Sequence, residues 1–276
     1  MTDLDKTMLF HYTSQSGLLG IVKEQEIWAT NIHFLNDYKE FRHAFEILSE
    51  IIRRDLDSNS VLRDKLIGHF DTLINLSPNI NVFLASFSER GDLLSQWRGY
   101  CKDGAGYSIA FDKAALQKMA IDMGLTLIEC IYDPEEQRKE MKIYLDWVLT
   151  SSSTTPTDIS TLNFDGAVAS LVQMLLATAP RFKDKSFSEE KEWRLFCGTI
   201  DNDDDRIEFR EGRSTLIPYV KFSLKSFELN NIPINKIIVG PTPDKELSRI
   251  AVVNLLHRYK VITKRVELSK IPFKNW

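Results

Sequence analysis

The sequence predicts an α+β protein in which a mixed, mostly antiparallel sheet is surrounded by helices. Strand-like and helix-like segments alternate irregularly along the 276 residues, without an internal repeat or a glycine-rich phosphate loop. Hydrophobic residues make up 43% of the chain and charged residues 27%, a globular composition with enough apolar material for a sizeable core. We therefore expect one domain over residues 1–276, with a Ser- and Thr-rich surface loop near 151–161.

The elements follow from apolar periodicity and from signals at their ends. Ser14 and Asp244 are predicted to cap the N-termini of helices. Asp37 and Glu40 have the spacing of a capping box. Gly124 is expected to stop a helix. Strands are predicted over 7–13, 27–32, 81–88, 107–111, 125–132, 192–199, 206–211, 216–222, 236–239 and 261–268. Helices are predicted over 15–25, 36–52, 61–76, 93–100, 113–123, 134–149, 164–178 and 245–259.

Charge and cysteine content count against several classes of protein. The net charge is −4 and no dense basic stripe is present, which argues against extended nucleic-acid binding and against nucleic-acid processing. Cys101, Cys130 and Cys197 lack the spacing of zinc ligands, so we expect reduced thiols and no metal. No segment has the length of a membrane span, and the first residues lack a signal-peptide pattern, so a cytoplasmic protein is expected.

Two candidate binding segments are predicted on strands. His11, Tyr12 and Thr13 end the first strand, where the imidazole could meet a ribose hydroxyl; the alternative is a structural histidine. Strand alternation puts Ser86 and Ser88 on one face, where their hydroxyls could orient a carboxylate or a nucleotide. The alternative for this second segment is an ordinary half-exposed strand face.

A third candidate segment lies on a short helix. Trp97 and Tyr100 are three residues apart and can share a helical face. Arg98 lies between them, and a guanidinium suits a phosphate because it binds two oxygens at once. The alternative interpretation is a buried tryptophan beside a salt-bridged arginine.

The last candidate segment carries two carboxylates, Glu190 and Glu192. On a strand they would face the same way, and two like charges at that distance raise the pKa of at least one of them. Such a pair suits acid–base or hydrogen-bonding work. The alternative is a solvated charge run, which is also the interpretation of the acidic stretch 202–205, because that stretch lacks the ligand pattern of a calcium loop.

Taken together, these segments resemble a widespread bacterial family, the domain of unknown function 2971. The resemblance covers nearly the whole chain. It is carried mainly by the motifs HYTS at 11–14, FLND at 34–37, SQWRGY at 95–100 and EWR at 192–194.

The sequence is more distantly similar to the ADP-ribosyltransferase superfamily, in the order His-Tyr-Thr strand, Ser-x-Ser strand and late Glu-x-Glu. This resemblance implies an ADP-ribosyltransferase-like fold with NAD as the substrate and no metal. It assigns His11 to the adenosine-side ribose and makes Ser86 or Ser88 a brace of the site. Glu192 becomes the catalytic carboxylate, and Glu190 orients the acceptor.

The same resemblance suggests that Tyr12, Trp97 or Tyr100 stacks on a ring and that Arg98 binds the pyrophosphate. The leading hypothesis is therefore an NAD-consuming enzyme, which transfers ADP-ribose to a macromolecule or hydrolyses NAD, as a toxin or antiphage effector. The alternative hypothesis is a non-catalytic module of a defence system that senses a nucleotide or a phage protein. That module would use the same aromatic and arginine clusters.

Overall fold

The structure is a computed structural model that describes residues 7–35, 40–56, 61–76, 80–100, 106–151, 164–212, 214–225 and 232–272. Asp37, which was predicted to open the second helix, lies outside these ranges. Positions 152–161 of the predicted surface loop also lie outside them.

The described residues form strands and helices in an irregular alternation, as predicted. The strands are β1 (Met8–Thr13), β2 (Glu26–Asn31), β3 (Phe83–Ser88), β4 (Tyr107–Asp112), β5 (Thr126–Glu129), β6 (Glu192–Phe196), β7 (Glu208–Glu211), β8 (Leu216–Ser223), β9 (Ile234–Val239) and β10 (Arg265–Leu268). The α-helices are α1 (Gln15–Glu24), α2 (Glu40–Asp55), α3 (Val61–Leu76), α4 (Leu94–Tyr100), α5 (Lys113–Asp122), α6 (Pro134–Ser151), α7 (Phe164–Thr178) and α8 (Lys245–Arg258).

The caps predicted at Ser14 and Asp244 are observed. Ser14 accepts a hydrogen bond from Gly17 N at the start of α1, and Asp244 accepts one from Leu247 N at the start of α8. The strand predicted over 261–268 is shorter than expected and begins at Arg265. Val261 instead closes the end of α8, because its N–H donates to the carbonyl of Leu256.

The strands join in one sheet with the order β10-β9-β4-β1-β3-β2-β8-β7, and β6 and β5 extend from β3. β9 and β10 run parallel, and the other pairs between these strands are antiparallel. This arrangement, with helices around it, confirms the predicted α+β class with a mixed, mostly antiparallel sheet.

Strand β3 lies at the junction of the sheet and positions the candidate site. One of its edges pairs with β6 along its length, with Ser86 opposite Arg194 and Ser88 opposite Glu192. Its other edge pairs with β1 at Ser88 and with β2 at Leu84. Residues directly opposite in an antiparallel pair share a face of the sheet, so Ser86, Ser88, Arg194 and Glu192 lie together.

The two faces of the sheet pack against different helices. On one face, which we call the α1 face, Phe87 belongs to a core that includes residues of α1, α5 and α8. On the other, which we call the cleft face, Leu84 belongs to a core that includes residues of α2, α3, α6 and α7. The predicted alternation of Ser86 and Ser88 against Phe87 is therefore confirmed.

Neither Cys130 nor Cys197 is in a disulfide. In the parts of the chain that the structure describes, no helix is both long enough and apolar enough to cross a membrane.

Candidate functional site

The candidate site is a cleft of about 150 Å³ on the cleft face of the sheet. Its floor is formed by β3 and β6, and its walls by α4 and the segment around 183–190. The residues that line it are Leu35, Ser86, Phe87, Ser88, Ser95, Gln96, Gly99, Tyr100, Lys183, Phe187, Glu190, Glu192 and Arg194. Three of the four predicted segments therefore contribute to one cleft.

Glu192 lies at the centre of a buried charge network. Its Oε1 accepts from Arg194 Nε at 2.9 Å, and its Oε2 accepts from Arg194 Nη2 at 3.3 Å and from Lys183 Nζ. The side chains of Glu192, Arg194 and Lys183 are only 5%, 1% and 9% exposed. Burial alone would raise the pKa of Glu192, but the charges and hydrogen bonds of Arg194 and Lys183 lower it to about 2. This carboxylate is therefore ionised at neutral pH.

The second carboxylate, Glu190, reaches the same network from a different element. It lies at the end of a short 3-10 helix over Lys185–Glu190, and Lys191 then takes a left-handed conformation with φ of 43°. Its Oε2 accepts from Lys183 Nζ at 2.6 Å. The prediction that both carboxylates share a strand was therefore wrong. The rise in pKa that was expected for at least one of the two carboxylates is not found at Glu192, because two cations outweigh the like charge.

Lys183 is a charged residue of the cleft that sequence reasoning missed. Its backbone is held beside Ile131, where it donates to that carbonyl at 3.1 Å and accepts from Gln137 Nε2, also at 3.1 Å. Asp184 then caps the 3-10 helix by accepting from Ser186 N. Nothing in the local sequence marks a lysine seven residues before Glu190 as a partner of both carboxylates, because the contact depends on how the segment folds back.

The wall on the α4 side supplies hydroxyl and amide groups. Ser95 Oγ is buried and has no hydrogen-bond partner among the described residues. Partial burial of a residue that stays 39% exposed, together with the charges of Glu192 and Glu190, raises the pKa of Tyr100 to about 12. Tyr100 therefore keeps its proton at neutral pH and can donate a hydrogen bond to a ligand. Ser88 is already engaged, since its Oγ donates to the Glu190 carbonyl at 2.5 Å.

His11 and Thr13 lie away from this cleft. His11 pairs with Ile109, whose side chain belongs to the α1-face core, and its ring is 5.6 Å from that of Phe87. Its Nδ1 donates to the Ser86 carbonyl at 2.9 Å, since a carbonyl can only accept. Burial lowers the pKa of His11, against the opposing effect of this bond. The structure thus places His11 and Glu192 on opposite faces of the sheet.

Tyr12 and Trp97 are on the cleft-face side but are only 3% and 0% exposed. Their rings contact each other edge to face, with centroids 4.8 Å apart. Tyr12 Oη donates to the Arg90 carbonyl at 2.7 Å, and Trp97 Nε1 donates to Asp92 Oδ1 at 2.7 Å. The prediction that either ring stacks on a ligand is therefore contradicted for this structure, and the alternative of a buried tryptophan is what is observed.

Arg98 does not line the cleft. It is exposed on α4, and the described lining residues on this helix are Ser95, Gln96, Gly99 and Tyr100. The pyrophosphate contact predicted for Arg98 therefore has no support from its position.

Asp92, just before α4, ties the helix to the last described segment of the chain. Besides Trp97, its carboxylate accepts from Ser269 Oγ at 2.6 Å and from Lys270 N at 2.8 Å. These bonds fix the position of α4 and hence of the wall that carries Ser95 and Tyr100.

The cleft combines an ionised carboxylate, two buried cations and several hydrogen-bond donors. A carboxylate held in this way can accept from a sugar hydroxyl and can stabilise positive charge nearby. Across the described ranges, no three His, Cys, Asp or Glu side chains are grouped so as to hold a metal ion.

One solved structure that is similar to this chain is "Thermus sp. 2.9 DarT in complex with ADP-ribosylated ssDNA". The similarity covers 96% of this chain and 95% of that chain, with 11% sequence identity and a TM-score of 0.37. That score is too low to support conclusions about the fold or the site, so the ADP-ribosyltransferase resemblance stays a prediction. No curated protein matches the sequence.

A family described as "Protein of unknown function (DUF2971)" has a sequence model that matches residues 96–195. The matched region begins in α4 and ends in β6, so it includes Tyr100, Lys183 and Glu192 of the cleft. Over residues 96–195 this chain is therefore similar to that family, as the EWR motif at 192–194 had indicated, whereas the HYTS and FLND motifs lie outside the matched region.

Proposed function

We propose that the cleft binds the nicotinamide–ribose end of NAD and that Glu192 assists cleavage of the bond between them. The observation that carries this proposal is the ionised carboxylate of Glu192, which is buried at the floor of a polar cleft. The order of the sequence motifs supports NAD as the substrate, and the chemistry of the cleft is compatible with it.

The proposed reaction requires stabilisation of positive charge. As the nicotinamide leaves with the electrons of the glycosidic bond, the ribose develops oxocarbenium character. Glu192 would accept a hydrogen bond from a ribose hydroxyl and stabilise that charge. An oxygen nucleophile, from water or from an acceptor, then forms the new bond to the same carbon, and its proton passes to solvent. Tyr100 and Ser86, which line the cleft, would donate hydrogen bonds to the bound ligand.

The size of the cleft limits which part of NAD it holds. A volume of about 150 Å³ is smaller than the roughly 300 Å³ at the lower end of small-molecule pockets. The cleft therefore suits one end of a dinucleotide, and the rest of the molecule would lie on the surface beside it.

A second candidate function is nucleotide binding without chemistry. It is favoured by the engagement of Glu192, since both of its oxygens already accept hydrogen bonds from Arg194 and Lys183, which leaves only about one of its four acceptor positions for a ligand. In this case the carboxylate would serve to hold the two cations in place, and the cleft would recognise a nucleotide for sensing.

The experiment is NAD binding by calorimetry and nicotinamide release, for wild type beside Glu192→Gln. Release is assayed with water alone and with protein and single-stranded DNA as acceptors. The matched control is Glu189→Gln, the same change at an exposed neighbour. We expect Glu192→Gln to lower release by about 10²–10³-fold, as loss of one charge-stabilising group does, and the control to be unchanged.

Thermal melting shows that each variant is folded. Full turnover in folded Glu192→Gln would remove the catalytic assignment of this residue. Saturable NAD binding without release by any variant would support the sensing function instead.

A further inference from the structure

A second set of polar and aromatic side chains extends from the cleft across β2, β8 and β7. Thr30 pairs with Leu84 of β3, which places it on the cleft face. Tyr219 lies opposite Thr30, and Glu208 lies opposite Tyr219. Strand alternation puts Trp28 and Arg210 on this same face.

Arg210 has an incompletely satisfied guanidinium. Its Nη2 donates to Thr30 Oγ1 at 3.0 Å, whereas its Nε is buried without a hydrogen-bond partner. Within the described part of the chain it forms no ion pair, and the carboxylate two residues away, on Glu208, is engaged by Lys221 at 2.6 Å and by Tyr219 at 2.8 Å. An arginine without a carboxylate partner is suited to an anion, which would neutralise its charge.

This arginine lies close to the cleft. Its Nη2 bonds Thr30, which lies opposite Leu84 of β3. Ser86, two residues from Leu84 and on the same face of β3, lines the cleft. A ligand in the cleft over Ser86 would therefore extend along this face of the sheet toward Arg210.

An aromatic pair lies on the same face. Trp28 stacks on Tyr219 with ring centroids 4.4 Å apart and an angle of 27° between the planes. Tyr219 is 5% exposed and Trp28 is 45% exposed, so the indole presents one side to solvent on a rigid support. Such a platform suits a flat nitrogenous ring, since bases stack on aromatic side chains.

We infer that Arg210, Thr30 and the Trp28–Tyr219 pair form a second subsite, which binds the diphosphate and the adenine ring of the nucleotide. A guanidinium binds two phosphate oxygens at once, and the charge of Arg210 is not neutralised by a carboxylate among the described residues. This inference rests on the proposed function in one respect, namely that the other end of the nucleotide occupies the cleft. It gives Arg210 the phosphate contact that the sequence had suggested for Arg98.

The test uses ADP, which has the diphosphate and the adenine ring but no nicotinamide bond to cleave. Binding of ADP is measured by calorimetry for wild type, Arg210→Gln and the matched control Arg206→Gln. Arg206 is on the same stretch of chain but is exposed and paired with Asp204. We expect Arg210→Gln to weaken ADP binding by about tenfold or more, as loss of a charged hydrogen bond does, and the control to match wild type.

Two further variants test the parts of the subsite separately. Arg210→Lys keeps the charge but not the planar fork, so it should restore only part of the affinity. Trp28→Ala should weaken ADP binding by about fivefold or more, whereas Trp28→Phe should retain most of it, because a smaller ring still stacks.

The outcomes separate this inference from the proposed function. If ADP binding depends on Arg210 but the protein never cleaves NAD, the subsite is supported and the proposed catalytic function is refuted. Glu192-dependent NAD cleavage with an unchanged KM in folded Arg210→Gln would overturn the subsite while the enzyme stands. The subsite would also be overturned if the folded wild type did not bind ADP. It would be overturned equally if Arg210 bound a single-stranded oligonucleotide in place of ADP.

Discussion

The two faces of the β3–β6 pair differ sharply, although adjacent residues build them. On the α1 face, Phe87 and Leu195 are buried in an apolar core. On the cleft face, Glu192 and Arg194 are equally buried but are charged and hydrogen-bonded. Strand alternation lets one pair of strands serve as core on one side and as site on the other.

The difference extends to where the charges lie. On the α1 face, Lys113 stays at the margin, where its Nζ lies 3.6 Å from the centroid of the Trp193 ring. On the cleft face, Lys183 is 9% exposed and bonds directly to two carboxylates. Charges that are removed from water interact more strongly. This explains why the cations on the cleft face lower the pKa of Glu192 so far.

The largest expected effect comes from breaking the charge network on the cleft face. Arg194→Met keeps an unbranched, flexible stem but removes the guanidinium and its charge, so Glu192 loses its main partner. We expect the free energy of unfolding to fall by about 3–5 kcal/mol, as it does when one member of a buried ion pair is removed. Urea denaturation measures this change.

The control for that variant is Arg206→Met, which removes an exposed ion pair with Asp204. It should cost no more than about 1 kcal/mol, the range for surface pairs. An equally small cost for Arg194→Met would mean that the buried network does not stabilise the fold.

A smaller effect is expected from pH. The pKa of Glu192 is lowered from 4.5 to about 2 in the folded protein, so the folded state binds the proton less readily than the unfolded state. The resulting stability, on the order of 3 kcal/mol, is fully present above pH 4.5 and is lost as the pH falls toward 2.

The measurement for this pH effect is urea denaturation of wild type and Glu192→Gln from neutral pH downward. The difference in stability between them should shrink below pH 4.5. A difference that stays constant across this range would show that Glu192 titrates normally.

The smallest effect is expected from His11, on the opposite face. His11→Gln removes the imidazole that donates to the Ser86 carbonyl, so it should cost about 0.5–1.5 kcal/mol of stability. NAD affinity should not change, because the side chain does not reach the cleft. A tenfold loss of affinity in calorimetry, with the fold intact, would restore the binding role that the resemblance gave to His11.

Local signals in the sequence were sufficient for most of the elements. The bounds of α3 and α7 match the prediction, because apolar periodicity marks both helices along their length. Ser86 and Ser88 were assigned to one face by alternation alone, which holds for any regular strand.

Features that depend on pairing between distant segments were not predicted. The face of His11 follows from the register of β1 with β4, and that register is not visible in either strand by itself. The separation of Glu190 from Glu192 depends on the left-handed backbone of Lys191, a conformation that a lysine rarely adopts. Lys183 and Arg210 were missed because each meets its partners only after the chain has folded back.

The bond between Asp92 and Ser269 joins residues 177 positions apart. A ribosome adds residues in order, so α4 is made long before the segment that anchors it emerges. The wall of the cleft thus receives this support only when synthesis has passed residue 270, whose backbone N–H also bonds to Asp92. A chain released earlier would lack both bonds, which ties the assembly of the cleft to translation beyond residue 270.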